Sequence, residues 1–396
     1  MMTTTTGTRP ALTRDGVTLA PLAGGFLPPY SERLHLIAHL PAPSAADLAA
    51  MSQQAGGAED AASHPHGAQV DTAQAATGEG SPFSPETAAA MEAFNAPFGQ
   101  PEATHAVVEE REVDGPHGPV PVRVYRPEPG WVPPAPSPQT DGLRAGLVWY
   151  HGGAFVGGDL DMPEADAVAR GLVTRTGATV VSVFYRLCND GVTHFPVPHD
   201  DAYAALRWTA EHARELGIDP ARLAVGGASA GGNLACGVAL RARDDAAATG
   251  RPATVWQALL AYPVAHAEHW PAASGELAQR LEDMPQVLRF PADVMAMMNA
   301  NYLGAAPVDA PAYAFPGDGN GSAADLAGFP ASYIENCEND DLRASGEALG
   351  QALAQAGCDV ECVTAAGVPH GHLNAVGSAL SSQSLDRFAA RLARRS

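Results

Sequence analysis

Residues 223–235 read LAVGGASAGGNLA, a short apolar run that meets a serine set between glycines and passes into an Ala-rich stretch. Residues 223–226 have the length and composition of a buried strand. Residues 230–243 have the composition of a helix. Between them stands Gly227-Ala228-Ser229-Ala230-Gly231. A serine at so tight a strand-to-helix turn is forced into an unusual backbone conformation, and side chains two residues to either side would collide across the turn. Such a turn exposes the Ser229 hydroxyl and aims a helix N-terminus at whatever the hydroxyl attacks.

Outward from this turn, short β-branched runs alternate with Ala-rich helical stretches. Strands are predicted at residues 120–125, 147–150, 179–185, 255–262, 332–336 and 360–364. Helices are predicted near 200–215, 343–356 and 373–394. Alternation of this kind predicts an α/β fold, a mostly parallel central sheet covered by helices on both faces. About 70 residues separate the strand at 255 from that at 332, too many for a structureless loop in a compact domain. A helical insertion is predicted there, about 265–325. Within it, Val294, Met295, Met298 and Tyr302 fall at helical spacing, either lining a pocket under a lid or, as base rates favour, packing into the core. Residues 105–396 thus form the predicted catalytic domain. Residues 1–104 form an N-terminal segment, predicted to be partly disordered, with 44–82 lacking periodicity and candidate cap helices at 30–40 and 84–94.

A serine hydroxyl is a weak nucleophile until a base removes its proton. His370, in Val368-Pro369-His370-Gly371-His372 after the strand at 360, is the best candidate, with His372 its rival. The acid that orients such a base is expected in the loop after the strand at 332, where Glu338-Asn339-Asp340-Asp341 stands. Locally, Asp340 and Asp341 are close competitors, and Asp341 or Glu338 could serve as helix-start carboxylates. His151-Gly152-Gly153-Ala154-Phe155 follows the strand at 147. Backbone amides of Gly152, Gly153 and Ala154, with that of Ala230, would receive the negative charge that acyl transfer develops on oxygen.

Composition narrows the partners. With 44 acidic against 23 basic residues, the formal charge is −21, which disfavours nucleic acid and anionic membranes. The first ten residues lack a basic start followed by an apolar stretch, so no secretory signal is predicted. No apolar run approaches the roughly 20 residues that span a bilayer. Five cysteines in no paired pattern indicate a reducing, cytoplasmic setting. His266 and His269 read as surface residues, and neither a metal nor an organic cofactor is expected.

Six islands in order, HGGAFVGGD from His151, FYRL from Phe184, FPVPHDDAYAAL from Phe195, GGASAGGNLA from Gly226, NDDLR from Asn339 and VPHGH from Val368, resemble the hormone-sensitive-lipase group of α/β-hydrolases. The resemblance covers residue 107 to the C-terminus. It implies an α/β-hydrolase fold with a helical cap, selects Asp340 as the acid and His370 as the base, and implies a serine carboxylesterase acting on short to medium acyl esters. An amidase, formamidase or lactonase using the same triad is the alternative, and a non-catalytic small-molecule-binding homologue is the alternative of another class. A small-molecule ester is the expected partner, with a homodimer as a possible assembly. Two departures stand out: Ala154 replaces the usual third glycine, and Ala228 precedes the nucleophile where Asp or Thr is common.

Overall fold

Ten strands join in one sheet in the computed structural model, which describes residues 12–14, 17–19, 22–42, 84–250, 254–318 and 326–394. Their order across the sheet is β1 (Leu12–Arg14), β2 (Val17–Leu19), β10 (Val360–Pro369), β9 (Ala331–Asn339), β8 (Gln257–Ala261), β7 (Ile218–Ala228), β5 (Arg144–Tyr150), β6 (Thr179–Val183), β4 (Gly118–Pro127) and β3 (Ala106–Gly115). From β2 to β6 all neighbours run parallel, and β1, β4 and β3 join antiparallel. The predicted stretch 44–82 lies outside the described residues.

The central strands read as unbroken apolar runs because both their faces are covered. Along β5, Val148 and Tyr150 enter one core cluster while Leu147 and Trp149 enter the other. The first cluster receives α4 (Val197–Glu211), α5 (Ala230–Thr249) and α8 (Arg343–Gln355). The second receives α3 (Asp166–Thr176) and α9 (Ala379–Leu392), together with Tyr30 of α1 (Tyr30–Arg33) and Phe94 of α2 (Pro85–Asn95). Helix α2 begins as its sequence suggests, with the Ser84 hydroxyl accepting the N–H of Thr87 at 3.1 Å and proline in the first turn. The helix expected at 30–40 is shorter, a single α-turn followed by a 3-10 turn at Leu34–Leu36.

Further elements differ from expectation or escaped it, β1 and β2 among them. Helix α3 carries Gly171 in mid-helix, which weakens its helical signal. The glycine is there for packing, since a Cβ at that position would come within 2.8 Å of Leu385. Strand β3 carries four consecutive charged residues, Glu109 to Glu112, between its valines on an edge of the sheet, leaving no apolar run to read. The final helix starts at Ala379 instead of near 373. A 3-10 turn at His372–Asn374 precedes it, and Ser378 caps it by accepting the N–H of Leu380 at 3.3 Å.

Between β8 and β9 the chain forms α6 (Gly275–Glu282), a 3-10 turn at Gln286–Leu288 and α7 (Ala292–Leu303). Val294, Met295 and Tyr302 of α7 are buried, Met298 is partly buried against the same cluster, and the Tyr302 ring stacks on Phe155 at 3.8 Å, so this stripe packs into the core. Register places the ends of β5, β7 and β8 side by side, with Tyr150 opposite Gly227 and Ala228 opposite Ala261. The loops leaving that carboxyl rim carry the candidate site, as parallel sheets commonly arrange.

Candidate active site

Strand β7 ends at Ala228 and α5 begins at Ala230, which leaves Ser229 alone in the turn at φ 55°, ψ −118°. That conformation is strained for a residue with a side chain. Its cost is met by tight surroundings: the Ser229 N–H donates to the Ala261 carbonyl at 2.9 Å, and its own carbonyl accepts from Asn233 at 3.0 Å. A Cβ at Gly227 would stand 2.3 Å from the Gly231 oxygen, and one at Gly231 would stand 2.1 Å from the Tyr150 oxygen. Both flanking glycines are therefore obligatory. Asn233, which sequence reading passed over, holds this turn to its neighbours by donating to the carbonyls of Val264 and Ala314 at 2.8 and 2.7 Å.

His370 follows the end of β10, and its Nε2 lies 2.9 Å from the Ser229 hydroxyl while Nδ1 lies 2.8 Å from Asp340. A carboxylate can only accept, so Nδ1 carries the proton and Nε2 is left to accept the serine O–H. Asp340 is itself fixed, its second oxygen accepting the N–H of Leu342 at 2.9 Å before α8. Burial works against a charge on the imidazole, but the carboxylates of Asp340, foremost, and of Glu164 and Asp341 together outweigh it, so the ring's pKa stands above its usual value. His370 is thus held as a base whose protonated form is stabilised.

The rivals have other partners. His372 is buried, with Nε2 2.7 Å from the Ser384 hydroxyl and Nδ1 3.3 Å from the Cys337 sulfur, and burial lowers its pKa to about 4. Glu338 lies within β9 and accepts the N–H groups of Ala23, Gly24 and Gly367 at 2.9, 2.8 and 2.7 Å. Asp341 turns away to Arg289 at 2.9 Å.

In the loop after β5, Gly153, Ala154 and Phe155 have successive positive φ values of 112°, 56° and 65°. The N–H groups of Gly153 and Ala154 in this loop are taken by no backbone acceptor among the described residues and are left for an anion. Ala230 adds the first N–H of α5, which has no partner within its helix. Gly152 is a correction to the sequence expectation. Its N–H donates at 2.7 Å to the buried Glu164 carboxylate and is not offered to a substrate.

Glu164 itself was missed. It lies just before α3 in an acidic stretch with no local signal, and its other oxygen accepts from the Tyr262 hydroxyl at 2.6 Å and from Asn374 at 3.2 Å. Burial raises its pKa against these hydrogen bonds and the nearby His370. The neighbouring His151, fully buried, is kept neutral, its pKa lowered to about 4 by burial, and Nδ1 donates to the Gly152 carbonyl at 2.7 Å. Together these groups can activate a hydroxyl and receive charge on an adjacent oxygen, the two requirements of acyl transfer.

Among known proteins, a family model described as alpha/beta hydrolase fold matches residues 147–374. The chain is similar to the esterase LipI of Mycobacterium tuberculosis, 38% identical over 282 residues that make up 70% of this chain and 78% of that protein. It is also similar to the carboxylesterase NlhH of the same organism, 38% identical over 259 residues, 64% of this chain and 72% of that one. Of solved structures, a hyperthermophilic esterase from the archaeon Pyrobaculum calidifontis aligns with a TM-score of 0.61 at 32% identity, covering 74% of this chain and 84% of that one. A bacterial heroin esterase aligns with a TM-score of 0.60 at 31% identity, covering 74% and 86%.

Proposed function

The chain belongs to the alpha/beta-hydrolase fold family, in its hormone-sensitive-lipase-like group, and is a carboxylic ester hydrolase; from that premise we propose that Ser229, His370 and Asp340 carry the reaction. Ser229 Oγ attacks the ester carbonyl while His370 Nε2 takes its proton. Asp340 keeps the ring in the required tautomer and stabilises it once charged. The oxyanion is received by the amides of Gly153, Ala154 and Ala230. Collapse of the tetrahedral intermediate expels the alcohol, protonated by His370, and leaves an acyl group on Ser229. Water, deprotonated by the same imidazole, then attacks the acyl carbon and releases the acid.

The observation that carries this reading is the unbroken relay of 2.9 Å from serine to imidazole and 2.8 Å from imidazole to carboxylate. Short to medium acyl groups are the proposed substrates. The described part of the helical insertion, about 265–325, and helices α1 and α2 are proposed as the cap of a catalytic domain at 105–396, whose sheet is extended by β1 and β2 from the N-terminal segment. The Tyr30 hydroxyl, 3.5 Å from the His372 carbonyl, supports the second part of that assignment. Five free cysteines support a cytoplasmic setting. No helix of the described residues is long and apolar enough to cross a membrane.

Hydrolysis of p-nitrophenyl esters from acetate to decanoate, by wild type and Ser229→Ala, tests the proposal. Turnover that falls with acyl length and is lost in the variant is expected. Undiminished turnover by Ser229→Ala would end the catalytic assignment, and faster cleavage of p-nitroanilides than of the matching esters would move the preferred bond to amides.

A further inference from the structure

Asp340 and Asp341 are adjacent in sequence and diverge in space. While Asp340 faces the imidazole, Asp341 reaches the insertion, where Arg289 Nε lies 3.1 and 2.9 Å from its two oxygens and Nη2 lies 2.9 Å from one of them. The same carboxylate accepts the N–H of Phe290 at 2.8 Å. A two-point guanidinium–carboxylate contact fixes orientation as well as distance. This one is shielded, its side chains only 21% and 10% exposed, so water screens it weakly.

Phe290 is the next residue along, partly buried, and its ring meets His370 edge-on with centroids 5.0 Å apart at 75°. Tyr262 meets the imidazole in a similar way at 4.9 Å and 65°. The two rings are held by different means. Tyr262 follows β8 directly and is tied through its hydroxyl to Glu164. Phe290 is tied to Asp341 through its own N–H and its neighbour's guanidinium, which also donates to the Leu281 carbonyl of α6. The rest of the insertion is anchored elsewhere: Arg343 reaches Glu276 at 3.2 Å, Arg280 reaches the Gly24 carbonyl at 2.5 Å, and Val294 and Met295 are buried. Losing the Asp341 contacts would therefore free the Phe290 N–H and loosen Arg289, which keeps its bond to Leu281, and leave α6 and α7 attached.

Chemistry assigns what lies beside that ring. The imidazole that deprotonates Ser229 must next protonate the departing alkoxide, so the alcohol portion of the ester sits on the imidazole side of the reacting carbon. We propose that the Arg289–Asp341 ion pair is a latch that positions Phe290 as the wall of the alcohol subsite, so that Phe290 limits the size of the leaving alcohol and Asp341 acts through it as a positioning residue. This rests on Ser229 and His370 being the catalytic pair.

The test measures kcat/KM for ethyl acetate and hexyl acetate with wild type, Asp341→Asn, Phe290→Ala and the double variant, with melting temperatures alongside. Each single variant is expected to raise the hexyl-to-ethyl ratio about three- to tenfold, in the range of hydrophobic-pocket discrimination. In the double variant the ratio should equal that of Phe290→Ala alone, because the two residues act in series. Arg289→Lys keeps the charge without the two-point contact, gives an intermediate ratio, and serves if Asp341→Asn does not fold. A lower melting temperature with an unmoved ratio in Asp341→Asn or Arg289→Lys overturns the latch, as does a further shift from Asp341→Asn in the Phe290→Ala background. An equal shift between p-nitrophenyl acetate and hexanoate would place Phe290 on the acyl side and overturn the assignment of the subsite. Turnover by Ser229→Ala, run in parallel, would show instead that the catalytic pair is misassigned.

Discussion

Ala154 stands at φ 56° between Gly153 at 112° and Phe155 at 65°. A Cβ in the left-handed region crowds the following carbonyl and costs roughly 1–2 kcal/mol. Gly153 could not accept one at all, because its Cβ would lie 2.2 Å from the Gly157 oxygen. Ala154→Gly removes the crowding and returns part of the gain as freedom of the unfolded chain, about 0.4–1 kcal/mol. The expected net is a stabilisation of about 0.5 kcal/mol, read as a melting temperature higher by about 1 °C. Activity should stay within about twofold, since the amide proposed to receive the oxyanion is retained. A lower melting temperature in Ala154→Gly would show that the loop holds no such strain. The alanine itself was visible in the sequence as a departure from a glycine pattern. What was not visible is that the amide one residue earlier, at Gly152, is consumed by Glu164, because that depends on an acid twelve positions away folding back beneath the loop.

At the level of elements, Glu164 joins three pieces of chain that surround the imidazole. It takes the amide of the loop after β5, the hydroxyl of Tyr262 after β8 and the amide of Asn374 after β10. Burial lowers the pKa of His370, and the Glu164 charge joins Asp340 and Asp341 in outweighing it. Catalysis needs the neutral ring, so the acid limb of kcat/KM should stand above the ordinary histidine value of about 6.5. Glu164→Gln removes a negative charge that favours the protonated ring. The limb should move to lower pH, and kcat at the plateau should fall about tenfold, as the charged ring of the transition state loses roughly 1.4 kcal/mol of support. The fold should survive. Because burial raises the Glu164 pKa, its stability contribution is full below the unfolded value and declines as pH rises through the folded one, so a neutral amide relieves a cost at neutral pH. A limb that stays in place in Glu164→Gln would mean the carboxylate serves only to hold the loops. Two of the strands that carry these loops were legible, since β5 and β8 are covered on both sides and write continuous apolar runs. Helix α3, beside Glu164, was not, because Gly171 and its charged residues mask a pattern that only the opposing Leu385 explains.

For the molecule as a whole, the formal charge of −21 sums into a field that no single residue controls. A site at the sheet's rim in such a field attracts cationic esters and repels anionic ones, most strongly at low salt. The ratio of kcat/KM for a choline ester to that for a hemisuccinate ester should fall about tenfold as ionic strength rises from about 10 to 500 mM, where screening contracts to a few ångströms. A ratio independent of salt would place the controlling charges within contact of the substrate. The sequence alone determined the alternation of elements, the serine turn with its two glycines, and the order in which Ser229, the acidic loop and His370 follow, because each depends on a few consecutive residues and the local backbone they allow. Tertiary structure alone decided the partners. Asp340 meets the imidazole while Asp341 meets Arg289, 52 positions away, and Glu164 meets Tyr262 and Asn374, 98 and 210 positions away. Side chains of one type in one short stretch are indistinguishable until the fold brings distant groups to within hydrogen-bonding reach of some of them and not of others.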